Sequence, residues 1–291
     1  MDIRSELSDF LRSRRSRIPP EAHGLPGGGR RRSPGLRRAE VAQLAGISVD
    51  YYIRLEQGRA GRPSSSVLDS LARALLLTAG ERDHLYLLAR DQNAPRPSAA
   101  AEHVRGGVRR LLHVLFPTPA YVLGRRMDVL AWNDAASALF GDFSAMPEDR
   151  RNLVWHLFRV PAARSLYPEW ERVARQGISH LRVSAARHRD DPGIAALVAE
   201  LGRTSAEFRA MWAMHDVEDR SSGRKTFDHP VVGRLTLDYE ALQLHDGPDQ
   251  HLVTYTAPSG SASQHGLDRL AAMCARRVVV LGSAGAPEPA S

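Results

Sequence analysis

Four residues in the stretch "SVDYYIR" have side chains that can contact the exposed edges of base pairs. They are Val49, Asp50, Tyr51 and Arg54. A guanidinium such as that of Arg54 can donate two parallel hydrogen bonds to O6 and N7 of guanine, a carboxylate can accept from N4 of cytosine, and an aliphatic side chain can touch the methyl group of thymine. These residue types predict base reading in a DNA groove, provided that one helix presents all four to solvent.

The helix that carries these base-reading candidates is the second of two helices that a glycine turn separates. In "AEVAQLAGISVDYYIRLEQGR" (39–59), Gly46 marks the turn, and Ser48 can cap the second helix by accepting a hydrogen bond from an exposed backbone N–H. Tyr52 and Leu55 then face the core, so the base-reading candidates point outward. This arrangement is typical of a helix-turn-helix motif, whose second helix enters the major groove. A helical hairpin with no role in nucleic-acid binding is the alternative interpretation.

The positive charge of the chain is concentrated near this motif. The net charge is +7; residues 1–62 contain 13 arginines and 7 acidic residues, whereas residues 63–291 contain 27 basic and 26 acidic residues. Lys225 is the only lysine, a bias typical of GC-rich genomes that leaves the asymmetry unexplained. A local basic excess attracts phosphate groups, which set affinity and register without carrying sequence information. The candidates for phosphate contacts are Arg30, Arg31, Arg32, Arg37, Arg38, Ser48, Arg59 and Arg62.

Patterns that would support an enzyme or a metal site are absent from the sequence. The 12 histidines include no His-Glu-x-x-His, and the single cysteine, Cys274, excludes both a paired-cysteine zinc site and an internal disulfide. There is no G-x-S-x-G elbow, and "GGGRRRSPG" lacks the G-K-[ST] of a phosphate-binding loop. No stretch approaches the ~18 apolar residues of a membrane span. We therefore expect a cytoplasmic protein that is not an enzyme, with no metal, no cofactor and no membrane partner.

Hydrophobic periodicity and composition divide the chain into two domains, a linker and a tail. The first domain, residues 1–92, is all-α with five helices, and the second, residues 103–258, is α+β with an antiparallel sheet, since short turns separate its alternating strands. The five helices are expected at 2–15, 37–45, 48–57, 66–77 and 80–90. Strands are expected within 120–133 and 224–257, and helices at 133–140, 150–158, 163–187, 193–201 and 205–215. The linker is 93–102, and the tail, 259–291, is expected to be poorly ordered.

The stretch "RAEVAQLAGISVDYYIRLEQGR" resembles the DNA-binding domain of XRE-type (lambda-repressor-like) regulators. The glycine turn and "R-x-E-x-G", here Arg54 to Gly58, carry this resemblance. It implies a structural ion pair between Glu56 and an arginine of the first helix, which by position is Arg15, with Arg14 as the runner-up. Tyr52 departs from the small aliphatic residue usual in such domains.

Phrases further along the chain extend the resemblance. "PAYVLGRRMDVLAWN", "RNLVWHLF", "EFRAMWAMHDV" and "HPVVGRLTLDYEAL" follow the N-terminal motif in the order seen in MmyB-like transcriptional regulators, over about residues 1–258. The similarity implies a C-terminal ligand-binding domain with a PAS-like fold, and a small, partly apolar effector, with a fatty acid as the precedent.

Several polar residues of the second domain are candidates for ligand contacts. A pocket for such a ligand is mostly apolar with a few placed polar groups, and an arginine pairs well with a carboxylate through its forked geometry. Arg151 is the leading candidate, although it can equally be a surface cation near Glu148 and Asp149. The remaining candidates are Asn152 and Trp155 of "RNLVWHLF", Asn133, whose alternative role is a helix cap, and His229 before Pro230.

Three functions are consistent with these patterns. The first is a ligand-responsive, sequence-specific regulator of transcription. We expect it to bind double-stranded DNA as a homodimer on a near-palindromic operator, with half-sites about 34 Å apart. In the second, the C-terminal domain serves only dimerisation or protein recruitment. In the third, the chain is an enzyme with an appended DNA-binding domain.

Overall fold

The computed structural model describes residues 3–26, 35–89, 102–217, 221–245 and 249–283. The chain forms two compact units. The N-terminal unit comprises Met1–Ala99 and Ile178–Asp219, and the C-terminal unit comprises Ala100–Gly177 and Arg220–Ser291. Each unit therefore contains two separate segments of the chain.

The first segment of the N-terminal unit contains the five expected helices, with ends that differ from the predicted ones by a few residues. They are α1 (Ile3–Arg17), α2 (Arg38–Ala45), α3 (Val49–Glu56), α4 (Ser65–Ala74) and α5 (Ala79–Leu88). The start of α4 is fixed by Ser64, whose Oγ accepts from Val67 N at 3.3 Å. The start of α5 is fixed by a capping box, in which Thr78 N donates to Glu81 Oε2 at 2.7 Å and Glu81 N donates to Thr78 Oγ1 at 3.4 Å. These caps satisfy backbone donors that the helices cannot.

The turn between α2 and α3 depends on a glycine with positive φ. Gly46 has φ 65°, and its N–H donates to Gln43 O at 3.2 Å. A Cβ at this position would have no atom within 4 Å, so the backbone conformation, not the available space, requires glycine. The new helix starts at Ser48, whose Oγ accepts from Tyr51 N at 3.2 Å. The turn therefore fixes the direction in which α3 leaves α2.

At Gly35, the backbone of the segment before α2 lies directly against the C-terminal end of α1. A Cβ on Gly35 would lie 2.4 Å from Arg15 O, so only glycine permits this approach. The next residue, Leu36, is fully buried, and its N–H donates to the same carbonyl at 3.1 Å. Arg15 is thereby held close to the start of α2.

A second segment of the chain packs on these five helices, in addition to the predicted domain of residues 1–92. It contains the part of α10 (Trp170–Arg187) from Ile178 onward, together with α11 (Pro192–Thr204) and α12 (Ala206–Ala213). Val217 is buried in the same core cluster as Phe10 and Leu85. Ser13 Oγ donates to Met214 O at 3.0 Å. The N-terminal unit is therefore larger than its local sequence patterns indicate.

The C-terminal unit is an α+β fold built on an antiparallel sheet, as predicted. Its strands are β1 (Ala120–Leu123), β2 (Val129–Trp132), β3 (Ser222–His229), β4 (Gly233–Leu244) and β5 (Gln250–Thr256). The sheet order is β2-β1-β5-β4-β3. The helices of this unit are α6 (Gly106–Val114), α7 (Asp134–Phe140), α8 (Leu153–Arg159), α9 (Pro161–Leu166), the first part of α10, and α13 (Ala262–Ser283). The helix predicted at 163–187 is interrupted, because Tyr167 precedes Pro168 and a residue before proline disfavours the helical conformation.

The two faces of the sheet have separate cores. Alternating residues of β4, Leu235, Leu237 and Tyr239, are buried on the inner face, in the same cluster as Leu139 of α7 and Leu270 of α13. The outer face packs against α6. Its core residues are Val104, Val108, Leu112, Ala120, Val122, Ala131 and Leu252. Each face of the sheet therefore carries an apolar core, and the aromatic residues lie in the core of the inner face.

Helix α13 corrects the prediction of a poorly ordered tail at 259–291. Leu267 and Leu270 are buried against the inner face of the sheet, and Ser263 Oγ accepts from Thr236 N at 2.9 Å. A Cβ on Gly266 would lie 2.4 Å from Leu235 Cδ2, so the helix lies close to β4. The small residues that suggest disorder by composition here permit close packing. Residues 284–291 of this tail, and residues 93–101 of the linker, lie outside the described residues.

Candidate nucleic-acid interface and ligand site

Helix α3 has one buried side and one exposed side. Tyr52 and Leu55 are buried in the core, whereas Val49 is 40% exposed and Asp50 and Arg54 are exposed. The Arg54 guanidinium and the Asp50 carboxylate make no hydrogen bond or ion pair with the described part of the chain. Both groups are therefore available to a partner molecule.

Tyr51 differs from the other base-reading candidates. It is half-buried and packs against the core of the N-terminal unit. Its ring therefore supports the start of α3, and only part of its surface is available to DNA. Base reading by Val49, Asp50, Tyr51 and Arg54 stays a prediction.

Glu56 holds the buried side of α3 through two arginines. Its carboxylate is fully buried and accepts from Arg15 Nε at 2.5 Å and from Arg38 Nε at 2.7 Å. Arg15 also donates from Nη1 to Leu36 O at 2.9 Å. Burial raises the pKa of Glu56, but the hydrogen bonds from Arg15 and Arg38 outweigh it and leave this pKa below its ordinary value. The Arg15 partner implied by the resemblance is present, and Arg38 is a second partner.

The other arginine implied as a runner-up, Arg14, has different partners. Its Nη1 lies 2.8 Å from Glu81 Oε1, and its guanidinium lies 5.2 Å from the ring centroid of Phe10. It also donates to the carbonyl of His215. Arg14 therefore joins α1 to α5 and to the second segment, not to α3.

The phosphate candidates fall into three groups. Arg59 and Arg62 are exposed after α3, and Arg37 is exposed at the start of α2, where its backbone N–H donates to Glu40 Oε2 at 2.7 Å. Ser48 and Arg38 already have structural roles, as the cap of α3 and as a partner of Glu56. The side chain of Arg38 remains 46% exposed, so it can contact phosphate as well. Arg30, Arg31 and Arg32 lie outside the described residues.

A buried arginine joins α1 to the second segment within the N-terminal unit. Arg182 is 1% exposed; its Nη1 lies 3.4 Å from Glu6 Oε2 and 3.0 Å from His215 Nδ1. Its guanidinium lies 4.1 Å from the ring centroid of Trp212. A cavity of about 20 Å³ beside these residues has room for about one water molecule. The cluster is thus too tightly packed for an effector and serves the fold.

Two histidines near Arg182 give the N-terminal unit a pH-dependent stability. Burial, followed by the charges of Arg182 and Arg14, lowers the pKa of His84 to about 3 and that of His215 to about 4. Because an unfolded histidine has a pKa near 6.5, only the unfolded chain binds these protons between about pH 4 and 6.5. We expect each histidine to lower the free energy of unfolding by about 1.4 kcal/mol per pH unit as the pH falls through this range. Urea unfolding at a series of pH values measures this slope.

A matched pair of variants separates this effect from general acid denaturation. His84→Gln should reduce the slope of the free energy of unfolding against pH by about 1.4 kcal/mol per pH unit, because one proton fewer is bound on unfolding. His113→Gln is the control variant, since His113 lies on α6, outside the N-terminal unit, and is exposed. Burial raises the pKa of Glu6, which acts in the opposite direction at the acidic end of the range. An unchanged slope in His84→Gln would contradict the assignment.

Two of the ligand candidates of the C-terminal unit use their hydrogen-bonding groups within the fold. Asn133 Oδ1 accepts from Ala136 N at 3.0 Å and Ala120 N at 3.1 Å, and its Nδ2 donates to Leu112 O at 3.1 Å and Thr118 O at 2.8 Å. All four hydrogen-bonding positions of this amide are used. Asn133 is therefore the cap of α7 that the sequence left as the alternative.

Asn152 and His229 are also structural. Asn152 caps α8 by accepting from Trp155 N at 2.9 Å, and its Nδ2 donates to Arg126 O at 2.6 Å and Asp128 Oδ1 at 2.8 Å. His229 uses both ring nitrogens, since Nε2 lies 3.0 Å from Ala138 O and Nδ1 accepts from Val231 N at 3.2 Å. A ligand contact at either side chain would have to displace these bonds.

Arg151 and Trp155 lie in cation–π pairs. Arg151 Nε donates to Phe143 O at 2.9 Å and Met146 O at 3.0 Å, and its guanidinium lies 5.4 Å from the ring centroid of Trp132. The ring of Trp155 lies 4.9 Å from the guanidinium of Arg150. Arg151 therefore ties a loop to the aromatic interior, and the predicted surface pairing with Glu148 is present at 3.6 Å.

An aromatic cluster covers the inner face of the sheet. Phe140 lies 5.2 Å from Tyr255 and 5.5 Å from Tyr121 between ring centroids, and Phe227 lies 5.3 Å from Tyr167. The hydroxyl groups of Tyr121 and Tyr255 lie 3.1 Å apart. Burial raises the pKa of each of Tyr121, Tyr167 and Tyr255 well above its ordinary value, so these hydroxyls stay protonated.

Lys225 places a positive charge against this cluster, and sequence reasoning did not select it as a site residue. Its Nζ lies 4.5 Å from the ring centroid of Tyr239 and 5.9 Å from that of Tyr255. A signal was available, since Lys225 stands two residues before Phe227 in β3, and residues two apart in a strand share a face.

The described residues contain neither a metal site nor a membrane span. No group of three or more histidine, cysteine or acidic side chains is arranged there to hold a metal ion. Among the helices of the described chain, none has the length and apolar character needed to cross a membrane.

The fold and the exposed side of α3 define a helix-turn-helix protein with a separate α+β domain. Comparison with protein-family models agrees, since residues 6–85 match a helix-turn-helix domain and residues 104–270 match the MmyB-like transcription regulator ligand binding domain. The second match covers more than half of the 291 residues, and the chain belongs to the MmyB-like transcription regulators. A comparison with curated proteins found no match. The resemblance to MmyB-like transcriptional regulators is therefore confirmed. The matched region extends past residue 258 into α13.

Proposed function

We propose that this regulator binds a near-palindromic operator as a homodimer and that its C-terminal unit responds to a small, partly apolar ligand such as a fatty acid. The exposed side of α3, from Asp50 in its first turn to Arg54 in its last turn, carries the DNA part of the proposal. Asp50 and Arg54 are exposed there without partners in the described chain, while Glu56, Arg15 and Arg38 hold the opposite side of the helix. Such a helix can enter a major groove without rearrangement.

One helix-turn-helix motif covers one half-site. Proteins of this geometry bind as two-fold dimers whose recognition helices lie about one helical turn of DNA apart. Arg37, Arg59 and Arg62 flank the base-reading side and suit contacts to phosphate on either side of the half-site. Selection of oligonucleotides with the full chain should therefore yield an inverted repeat whose half-site centres are about 10 base pairs apart. Recovery of a single unpaired site would contradict the homodimer.

The aromatic cluster supports the ligand part of the proposal. A binding site for a small effector is mainly apolar with a few placed polar groups, and the inner face of the sheet combines aromatic rings with Lys225 and paired tyrosine hydroxyls. A ligand acts on DNA binding only if it has different affinities for two arrangements of the protein. By linkage, operator DNA then changes ligand affinity by the same factor.

Mass spectrometry of the purified native chain tests the ligand part. We expect an adduct with the mass of a small apolar metabolite, and we expect the released molecule to change operator affinity when it is added back. A chain without an adduct, whose operator binding does not respond to fatty acids, would favour a C-terminal unit that serves only dimerisation or recruitment. Consumption of the released molecule by the protein would instead indicate an enzyme.

A further inference from the structure

Lys225 is a cationic residue on an otherwise apolar, aromatic face of the sheet. It lies on β3 opposite Leu237 of β4, and two residues before the fully buried Phe227, on the face of the sheet that carries the aromatic cluster. Every other basic residue of the chain that is not histidine is an arginine. The Lys225 side chain is half-buried, and a charge that is partly removed from water without a counter-ion destabilises the folded chain.

The ammonium group of Lys225 has aromatic neighbours but no carboxylate. The rings of Tyr239 and Tyr255 lie within cation–π distance, and Lys225 makes no ion pair with the described residues. The charged group that acts on it is another cation, Arg172. Arg172 lies next to the strand, with Nη2 donating to Arg224 O at 3.2 Å, and its Nε is paired with Glu169 Oε2 at 2.5 Å.

This environment disfavours the charged form of Lys225 in the unliganded protein. Burial, followed by the like charge of Arg172, lowers the pKa of Lys225 to about 8. The contacts with tyrosine rings compensate for only part of the lost hydration. A bound anion would reverse both effects, since it would supply the missing counter-ion and offset the repulsion from Arg172.

We propose that Lys225 binds the carboxylate of the ligand, with the apolar body of the ligand against the rings of Tyr239 and Tyr255. This inference rests on the proposed function of the C-terminal unit as a binding domain for a small, partly apolar molecule. It assigns the charged contact to Lys225 and not to Arg151, whose Nε is already hydrogen-bonded to two backbone carbonyls. The ligand class is a monocarboxylate with a hydrocarbon or aromatic body.

Calorimetric titration of the full chain with dodecanoic acid and with 1-dodecanol tests the proposal. The two probes share a hydrocarbon chain and differ in the charged end. At neutral pH the wild-type chain should bind the acid about tenfold or more tighter than the alcohol, the usual size of a charge-assisted hydrogen bond. Lys225→Met should lose this preference while binding the alcohol within about twofold of wild type. Lys225→Arg, which keeps the charge, should retain part of the preference.

The pH profile of the wild-type chain is a second readout that needs no variant. Above about pH 8 the free lysine deprotonates, so affinity for the acid should fall by up to about tenfold per pH unit while affinity for the alcohol stays constant. Equal preference for the acid in Lys225→Met and wild type, or a flat profile for the acid, would overturn the role of Lys225 alone. Failure of the wild-type chain to bind either probe would overturn the proposed ligand class, and the role of Lys225 with it.

Discussion

Replacing Glu56 by glutamine is expected to lower the free energy of unfolding of the N-terminal unit by about 3–5 kcal/mol, because the variant leaves a buried arginine without its counter-ion. The side chain of Arg15 is only 12% exposed, so water cannot replace the lost carboxylate. Arg38, which is 46% exposed, can be rehydrated and should contribute little to the loss. Urea unfolding of the full chain near neutral pH measures the difference.

Two comparisons make this expectation specific to the buried pair. Asp69→Asn breaks an exposed pair with Arg82 in the same unit, and it should lower the free energy of unfolding far less than Glu56→Gln, because exposed ion pairs contribute little to stability. The double replacement of Arg15 and Glu56 by methionine removes both charges and should recover much of the stability. A Glu56→Gln variant as stable as the Asp69→Asn control would show that the carboxylate does not hold α3.

The effect of Glu56 should also depend on pH in a known direction. Its pKa in the folded chain is lowered below the value near 4.3 that an unfolded glutamate has. The carboxylate therefore stabilises the fold above about pH 4, and this contribution is lost as the pH falls through the folded pKa. The difference in free energy of unfolding between wild type and Glu56→Gln should be largest at neutral pH and should become smaller as the pH falls into the acidic range.

Arg54→Ala is expected to weaken binding to the selected operator by about 1–3 kcal/mol and to relax the preference at one base pair, with little loss on random DNA. The physical reason is that a guanidinium bound to O6 and N7 of guanine contributes only where that guanine is present. The Arg54 side chain is exposed and makes no hydrogen bond or ion pair with the described chain, so the fold should be unaffected. Titration of both DNAs at a stated salt concentration measures the effect.

Arg59→Ala is the matched control, because Arg59 is also exposed but follows the end of α3. It should weaken binding to operator and random DNA alike and reduce the steepness of log affinity against log salt by about 0.9. If about five arginines neutralise phosphates, that slope should be near −4.5 for the wild-type chain. Equal losses on the two DNAs for Arg54→Ala would show that Arg54 contacts phosphate. Arg38→Ala is a poor control, since it also removes a partner of Glu56.

Local patterns were sufficient to predict the helix-turn-helix motif and the sheet. Gly46 and Ser48 are residues whose conformational and capping preferences act over a few positions, so their roles can be read without the rest of the chain. Alternation in β4 likewise identifies the inner face of the sheet. Of the two partners of Glu56, Arg15 is 41 residues away, and only the family resemblance pointed to it.

Two features of the fold were not predicted from the sequence. The packing of residues 178–217 depends on contacts between distant residues, and α13 has a composition that is typical of disordered segments. The pairing of Arg17 with Asp216 at 2.5 Å joins residues 199 positions apart, and neither residue stands in a periodic pattern that would indicate it. The glycine and alanine residues of α13 suggested disorder, although Leu267, Leu270 and Ala271 follow helical spacing. Asn133 and Asn152 cap helices in the fold, and a sequence alone does not distinguish a cap from a ligand-binding residue, because both roles use the same chemistry.

The packing of residues 178–217 on α1 and α5 has a consequence for how regulators of this kind can be recombined. These residues fall inside the stretch that matches the ligand-binding family, yet they complete the folded body that carries α3. A chimera joined between the two family matches would inherit α1 from one parent and the neighbouring residues Arg182, His215 and Val217 from the other. To exchange ligand specificity between relatives, residues 178–217 should therefore be taken from the same parent as the helix-turn-helix domain.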